Sequence, residues 1–306
     1  MANPLFSLIT VTLNPGEGLA RTVDSVRAQR WRDFEHIIKD AGSTDGSVQQ
    51  YGRPERGYAL MVICQPDTGI YDAMNQALAV ARGKYVLFLN AGDTLYAPDV
   101  LAQLEPFCAP ADSEDLVYTD YAIGGGKARV RSPSRLSRFF LYRTMLCHQV
   151  CFVRRDCYHD LGHFNTQLRI DADYDFLLRL MLRPQARSQY LPMVATTFLG
   201  GGISSDPVMN SVKESEVKGL RRKYFPGWEG HAFGLIYACT LPWLRNGIVQ
   251  SAKLRYLATL YRYGVNLFYI ICSWRKRGRV ADSRPTSGVN RAVECDGRTP
   301  RATHKR

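Results

Sequence analysis

Short apolar runs alternate with amphipathic segments through the first ninety residues, and the alternation reads as βαβαβ. Phe6 to Leu13 is a β-type run, Asn14 to Gly18 a turn, and Leu19 to Gln29 a helix with Leu19, Val23 and Val26 inward. Phe34 to Ile38 is a second strand, followed by the turn formers KDAGSTDGS, and Tyr58 to Cys64 is a third. A polar loop from Gln65 leads into a helix whose stripe is Ile70, Met74, Ala77 and Leu78, extended by Ala81. Gly83 stops that helix, and Tyr85 to Leu89 is a continuous apolar run suited to a strand buried on both faces. This order predicts an α/β chain with a doubly wound, mostly parallel sheet and right-handed crossovers.

Beyond Leu95 the pattern loosens. Leu116 to Ile123 and Cys147 to Arg154 read as strands, GGGKARVRSPS as a flexible basic loop, and Tyr174 to Leu182 as a helix. Three regions follow from the composition: an α/β domain over 1–205, a helical region over 206–274, and a basic tail over 275–306 expected to be disordered. Phe233–Leu244 and Val265–Trp274 are each shorter than the roughly 20 residues that span a bilayer, and Arg245, Lys253, Arg255 and Arg262 interrupt the region. An amphipathic helix pair on an anionic membrane surface fits this composition, with Trp243 and Trp274 at the interface; a helical appendage packed on the core or on a dimer partner fits as well. Leu5 to Leu13 lacks the basic leader and cleavage site of a signal peptide and reads as the first buried strand.

Charge adds a partner to this picture. Of a net +12 in 306 residues, the tail alone carries ten Lys/Arg against three Asp/Glu, which favours an anionic partner. A nucleic-acid groove is disfavoured, because the charge sits in a tail and is not interleaved with aromatic residues. The eight cysteines show no paired metal-ligand spacing; Cys147, Cys151 and Cys157 with His148 lack the second CxxC or His pair of a zinc site, so reduced thiols in a cytosolic protein are expected.

The chemistry-bearing residues cluster where strands end, which is where ligands collect on open α/β sheets. Asp40 follows the second strand, Asp67 opens the polar loop, and Asn90-Ala91-Gly92-Asp93 follows the fourth strand with one carboxylate fit for a metal. Asp171, Asp173 and Asp175 begin an apolar helix, where capping and the helix dipole account for at least one of them.

With these motifs the chain resembles the family 2 glycosyltransferases of GT-A fold, especially bacterial enzymes of exopolysaccharide, O-antigen or colanic-acid type, over roughly residues 5–205. The resemblance implies a Rossmann-like catalytic domain with a C-terminal helical extension, and a UDP-sugar donor. It assigns the nucleotide to Thr10, Val11, Thr12, Asn14 and Asp40, with Asp67 and Asn75 lining the nucleotide-sugar pocket. DAGS at 40–43 keeps only the first acid of the family's DDGS, and NAGD at 90–93 has Asn90 and Gly92 where the DxD acids usually stand. Asp93 is then the expected ligand of Mn²⁺ or Mg²⁺, with His148 as a further ligand or phosphate contact. LRIDADYDFLLR places Asp173 as general base with Asp171 in reserve, and Ala172 stands where the family has glutamate. Asn90, Gly92, His148 and Gln149 fall on the donor-sugar and acceptor side, and Gly200-Gly201-Gly202-Ile203-Ser204 would close near the diphosphate.

The expected activity is inverting transfer from a UDP-sugar to a glycan acceptor carried on a polyprenyl diphosphate, in cell-surface polysaccharide synthesis. The expected location is the inner face of the cytoplasmic membrane. A sugar nucleotidyltransferase shares the nucleotide site but needs a Gly-rich, basic first loop, of which NPGEGLAR is a faint echo. A non-enzymatic basic nucleic-acid-binding protein is the other alternative.

Overall fold

The computed structural model of the chain describes residues 3–47, 58–200 and 207–239. The chain divides into two compact units, Met1–Tyr237 and Ala238–Arg306. Of the expected membrane-surface pair, Phe233–Leu244 is described only as far as Cys239, and Val265–Trp274, the basic tail and most of the 200–204 glycine motif lie outside the described residues.

Four apolar segments form the parallel half of the sheet: β1 (Phe6–Thr12), β2 (Phe34–Asp40), β3 (Ala59–Cys64) and β4 (Tyr85–Phe88), in the order β3-β2-β1-β4. Phe6, Leu8, Ile9, Ile37 and Ile38 are fully buried, as expected of central strands covered on both faces. Helix α1 (Gly18–Arg27) buries Leu19, Val23 and Val26, and α2 (Ile70–Leu78) buries Tyr71, Ala73, Met74, Ala77 and Leu78. Helix α2 thus ends before Ala81, although Ala81 is buried beyond it. Gly83 has a reason besides ending the helix: a Cβ there would lie 2.3 Å from the Ser7 nitrogen, so only glycine fits against β1.

The rest of the sheet turns direction. After β5 (Thr94–Leu95) and α3 (Val100–Cys108) come β6 (Leu116–Ile123), β7 (Ala128–Val130), α4 (Arg138–Arg143), β8 (Cys151–Arg154), α5 (Arg155–Leu161), α6 (Ala172–Met181) and β9 (Ser188–Phe198). Strand β8 inserts antiparallel between β4 and β6, β9 pairs parallel with β6, and β5 closes the edge on β9. Two expectations are corrected here. The run 147–154 is not one strand, because His148–Val150 forms a 3₁₀ turn before β8. The 124–134 loop is not wholly irregular, because β7 pairs back onto β6 and Arg129 ion-pairs with the buried Asp120 at 2.5 Å.

Two helices follow, α7 (Asn210–Tyr224) and α8 (Gly227–Cys239). Helix α7 is tied to α6 by Lys223 and Tyr224, which bond the buried Asp175 at 3.1 and 2.7 Å. The first unit therefore runs past residue 205 to Tyr237. No helix among the described residues is long and apolar enough to cross a membrane.

Candidate active site

Because β1 to β4 are parallel, their carboxyl ends open on one edge of the sheet, and the loops leaving them build the site. A buried chain of hydrogen bonds braces this edge from below. Tyr58, His36, Thr10 and the Leu89 carbonyl are linked in series, at 2.6, 2.9 and 2.8 Å. Burial, with the charge of Arg27 adding to it, pushes His36 down to about 3, so its imidazole is neutral. The hydroxyl of Tyr58 then donates to Nδ1, Nε2–H donates to Thr10, and Thr10 donates to Leu89. Thr10 and Val11 are thus supports inside the sheet, while the Thr12 hydroxyl, beside Asp40 in register, is buried without a partner.

The β2 and β3 exits are locked together. Asp40 turns its carboxylate onto its own loop, accepting from the Gly42 and Ser43 nitrogens at 3.2 and 3.0 Å and from the Ser43 hydroxyl at 2.5 Å. Asn14, in the left-handed region at φ 48°, accepts from the Thr44 nitrogen and donates its own N–H to Ser43. Lys39 is fully buried, and its ammonium bonds the Gln65 carbonyl at 2.7 Å and Asp67 at 2.8 Å. Asp67 therefore anchors the loop before α2. Asn75 pairs both ends of its amide with the backbone of Phe164, at 2.9 and 3.0 Å, joining α2 to the segment before α6.

The 90–93 turn after β4 is held from two sides. Beneath it, Thr22 of α1 accepts from the Gly92 nitrogen at 2.9 Å and donates to the Asp93 carbonyl at 2.7 Å. Gly92 has φ 104°, a conformation that favours glycine. On the other side the 3₁₀ turn presents two consecutive side chains. Gln149 donates to Asp93 at 2.8 Å, and His148 Nε2 faces the Asn90 amide at 3.0 Å. The Leu199 nitrogen after β9 donates to the other Asp93 oxygen at 3.1 Å. Burial pushes the Asp93 carboxyl up from its ordinary value, against the hydrogen bonds from Gln149 and the Leu199 nitrogen.

His148 also reaches the candidate base. Its Nδ1 lies 3.0 Å from Asp173 Oδ2, while Asp173 Oδ1 accepts from the Tyr174 nitrogen at 2.9 Å and faces the Tyr71 hydroxyl at 3.1 Å. With Asn90 donating to Nε2, the imidazole carries its proton on Nδ1 and donates it to Asp173. Tyr71 also meets the Ile170 carbonyl, and burial, followed by the negative charge of Asp173, pushes its hydroxyl far up, so it remains a neutral donor. In place of a first carboxylate in the β4 turn, a hydrogen-bonded line, Asn90–His148–Asp173–Tyr71, joins that turn to α6.

The other two aspartates of that helix divide. Asp175 is structural, held by Arg179, Lys223 and Tyr224. Asp171 is 2% exposed, and one of its carboxylate oxygens is buried with no partner. Burial, then the charge of Asp173, raises it to about 7, with Glu216 adding and Lys213 opposing. Glu216 of α7 had no sequence signal, yet it receives the nitrogens of Arg169, Ile170 and Asp171 at 2.7 to 3.0 Å and fixes the approach to α6.

Among the described residues no group of three or more His, Cys, Asp and Glu side chains is placed to hold a metal. The 90–93 turn does offer two hard oxygens suited to a divalent cation whose remaining ligands are phosphate and water. They are the Asp93 carboxylate and the buried, unpartnered Asn90 Oδ1. Both ring nitrogens of His148 are already engaged, so a metal contact there would replace one of its bonds.

Known proteins share this architecture. The family model described as "Glycosyl transferase family 2" matches residues 7–162. A PGL/p-HBAD biosynthesis glycosyltransferase of Mycobacterium tuberculosis is 35% identical over 208 residues, covering 67% of this chain and 81% of that protein. Among solved structures, S. aureus TarS 1-349 in complex with UDP-GlcNAc matches with TM-score 0.59 and 20% identity, covering 76% of this chain and 69% of that one. The mannosyltransferase PcManGT of Pyrobaculum calidifontis, in complex with GDP-Man and Mn²⁺, matches with TM-score 0.52 and 18% identity over 87% and 81%. The two structures share the fold, a GT-A α/β architecture. By family match and curated relative together, the chain belongs to glycosyl transferase family 2 and is a glycosyltransferase.

Proposed function

We propose that the protein is an inverting transferase that moves a sugar from a UDP-sugar to a glycan acceptor linked to polyprenyl diphosphate, peripherally at the inner face of the cytoplasmic membrane. The observation that carries the mechanism is the Asp173 carboxylate, oriented by His148 and Tyr174 N–H at the edge where the β4 turn also ends. Asp173 accepts the proton of the acceptor hydroxyl as that oxygen attacks the anomeric carbon from the face opposite the diphosphate. One displacement inverts the centre. His148 keeps the carboxylate turned and, through Asn90, ties it to the donor side.

The nucleotide lies over the ends of β1 and β2, near Asp40 and the unpartnered Thr12 hydroxyl, with Asn14 and the Asp67-anchored loop at its borders. Asp93 and Asn90 Oδ1 are the residues to hold Mn²⁺ or Mg²⁺. When bound, that ion supplies Lewis-acid relief of charge on the departing diphosphate. The UDP-GlcNAc bound by TarS and the GDP-Man and Mn²⁺ bound by PcManGT, two proteins of this fold, support a nucleotide-sugar donor and a metal.

Calorimetric titration tests the donor class. UDP is expected to bind more tightly than GDP, CDP or dTDP, and Mn²⁺ to strengthen it. A preference for another nucleotide would change the donor class, and affinity unaltered by Mn²⁺ would remove the metal from the turn.

A further inference from the structure

Outside the hydrogen-bonded line described above, a cavity of about 1050 Å³ opens between the Arg143–Met145 segment, the start of α6, and helices α7 and α8. That volume sits at the upper end of what small-molecule sites use, roughly 300–1,000 Å³. One wall is basic: Lys213, Lys218, Arg221 and Arg222 line it from α7. None of these four ion-pairs with a carboxylate among the described residues. Arg221 is nonetheless fixed, donating to the Tyr142 and Arg143 carbonyls at 2.8 and 3.1 Å and lying 4.9 Å from the Tyr142 ring centre. Its position is set by neutral groups, which leave its charge available to an anion.

The lining also carries apolar surface at Phe225, Leu235 and Tyr237, with Arg221 lying 5.4 Å from the Tyr237 ring centre, and α8 exposes Leu235 and Trp228 by 67% and 71%. Asp171 lines the same cavity and brings the unpartnered oxygen that the fold itself does not satisfy. Buried polar atoms almost always have partners, so an orphaned carboxylate oxygen beside a cavity calls for a donor from a ligand.

We infer that this cavity binds a phosphate-bearing amphiphile, its anionic group against Lys213 and Arg221, its apolar body along Phe225, Leu235 and Tyr237, and a hydroxyl against Asp171. Resting on the proposed transferase reading, it is where the lipid-phosphate part of the acceptor lies, two residues along α6 from the base. The charges facing Asp171 fit this: Asp173 and Glu216 raise its proton affinity and Lys213 opposes them, so near neutral pH much of it is uncharged and does not repel an anion. Glu214 is the remaining acid on the lining, which also carries Arg143 and His231.

The test uses the full chain and calorimetry with decyl phosphate below its micelle concentration, beside inorganic phosphate, decyl maltoside, and vesicles of phosphatidylglycerol or phosphatidylcholine. Wild type is expected to bind decyl phosphate at least about tenfold more tightly than either inorganic phosphate or decyl maltoside. Lys213→Glu/Lys218→Glu is expected to weaken decyl phosphate at least about tenfold while leaving UDP affinity unchanged. Arg222→Glu, on the exposed rim, carries the same test should the double variant fail to fold. Equal binding of inorganic phosphate, or undiminished decyl phosphate binding by the charge variants, would overturn the assignment. So would binding confined to phosphatidylglycerol vesicles, which would make the region a membrane-contact surface. Absence of UDP binding in wild type would instead strike the donor reading and leave the cavity result standing.

Discussion

Asp173→Asn is expected to lower sugar transfer by about 10²–10⁴-fold, the range that general base catalysis contributes, while UDP affinity stays near wild type. The substitution keeps the shape of the side chain and one accepting oxygen, which can serve either His148 Nδ1–H or the Tyr174 N–H but not both. What disappears is the negative oxygen that takes the acceptor proton. The residue is part of α6, whereas the proposed nucleotide site lies at the ends of β1 and β2, which is why binding and turnover separate. Unchanged turnover would move the role to Asp171, and lost UDP binding in a folded variant would make Asp173 a donor contact.

Asp67→Ala is expected to destabilise the protein by about 3 kcal/mol, the lower end of the cost of leaving a buried charge unpaired. That corresponds to a melting temperature lower by roughly 6–12 °C for a domain of this size. Lys39 is fully buried and Asp67 is 9% exposed at its side chain, so solvent cannot replace the lost carboxylate. The carbonyls of Gln65 and Asp40, at 2.7 and 3.3 Å, would solvate the ammonium only in part. Lys39→Met together with Asp67→Ala is expected to recover part of the loss, because no charge is then stranded. Thermal unfolding read by circular dichroism checks both. A single variant within about 0.5 kcal/mol of wild type, the usual range for plain surface changes, would contradict this account of the pair.

The parallel half of the sheet was legible where a strand is a short apolar run bounded by glycine-rich or polar turns, as at Tyr85–Phe88 before Asn90-Ala91-Gly92-Asp93. Strand β9 was not, because it carries Pro192 and only a few buried positions, and its partner β6 shifts register opposite it. His148 and Gln149 looked like strand residues in an apolar run, yet only a 3₁₀ turn brings both to the 90–93 turn. Partnerships over long separations leave no local pattern at all. Tyr71 with Asp173 and Glu216 with residues 169–171 depend on how α2 and α7 pack around the start of α6. The motif residues Asp40, Asp67 and Asn90 to Asp93 all leave the carboxyl ends of parallel strands, while Asp40, Asp67 and Asn75 proved to have structural bonds that their position alone did not reveal.

Single-displacement transfer from a UDP-sugar can be read by NMR of a reaction containing the protein, a UDP-sugar and a lipid-diphosphate-linked glycan. The account predicts free UDP and a new glycosidic bond whose anomeric configuration is inverted relative to the donor. A product that retains the donor's configuration would contradict it, as would pyrophosphate in place of UDP.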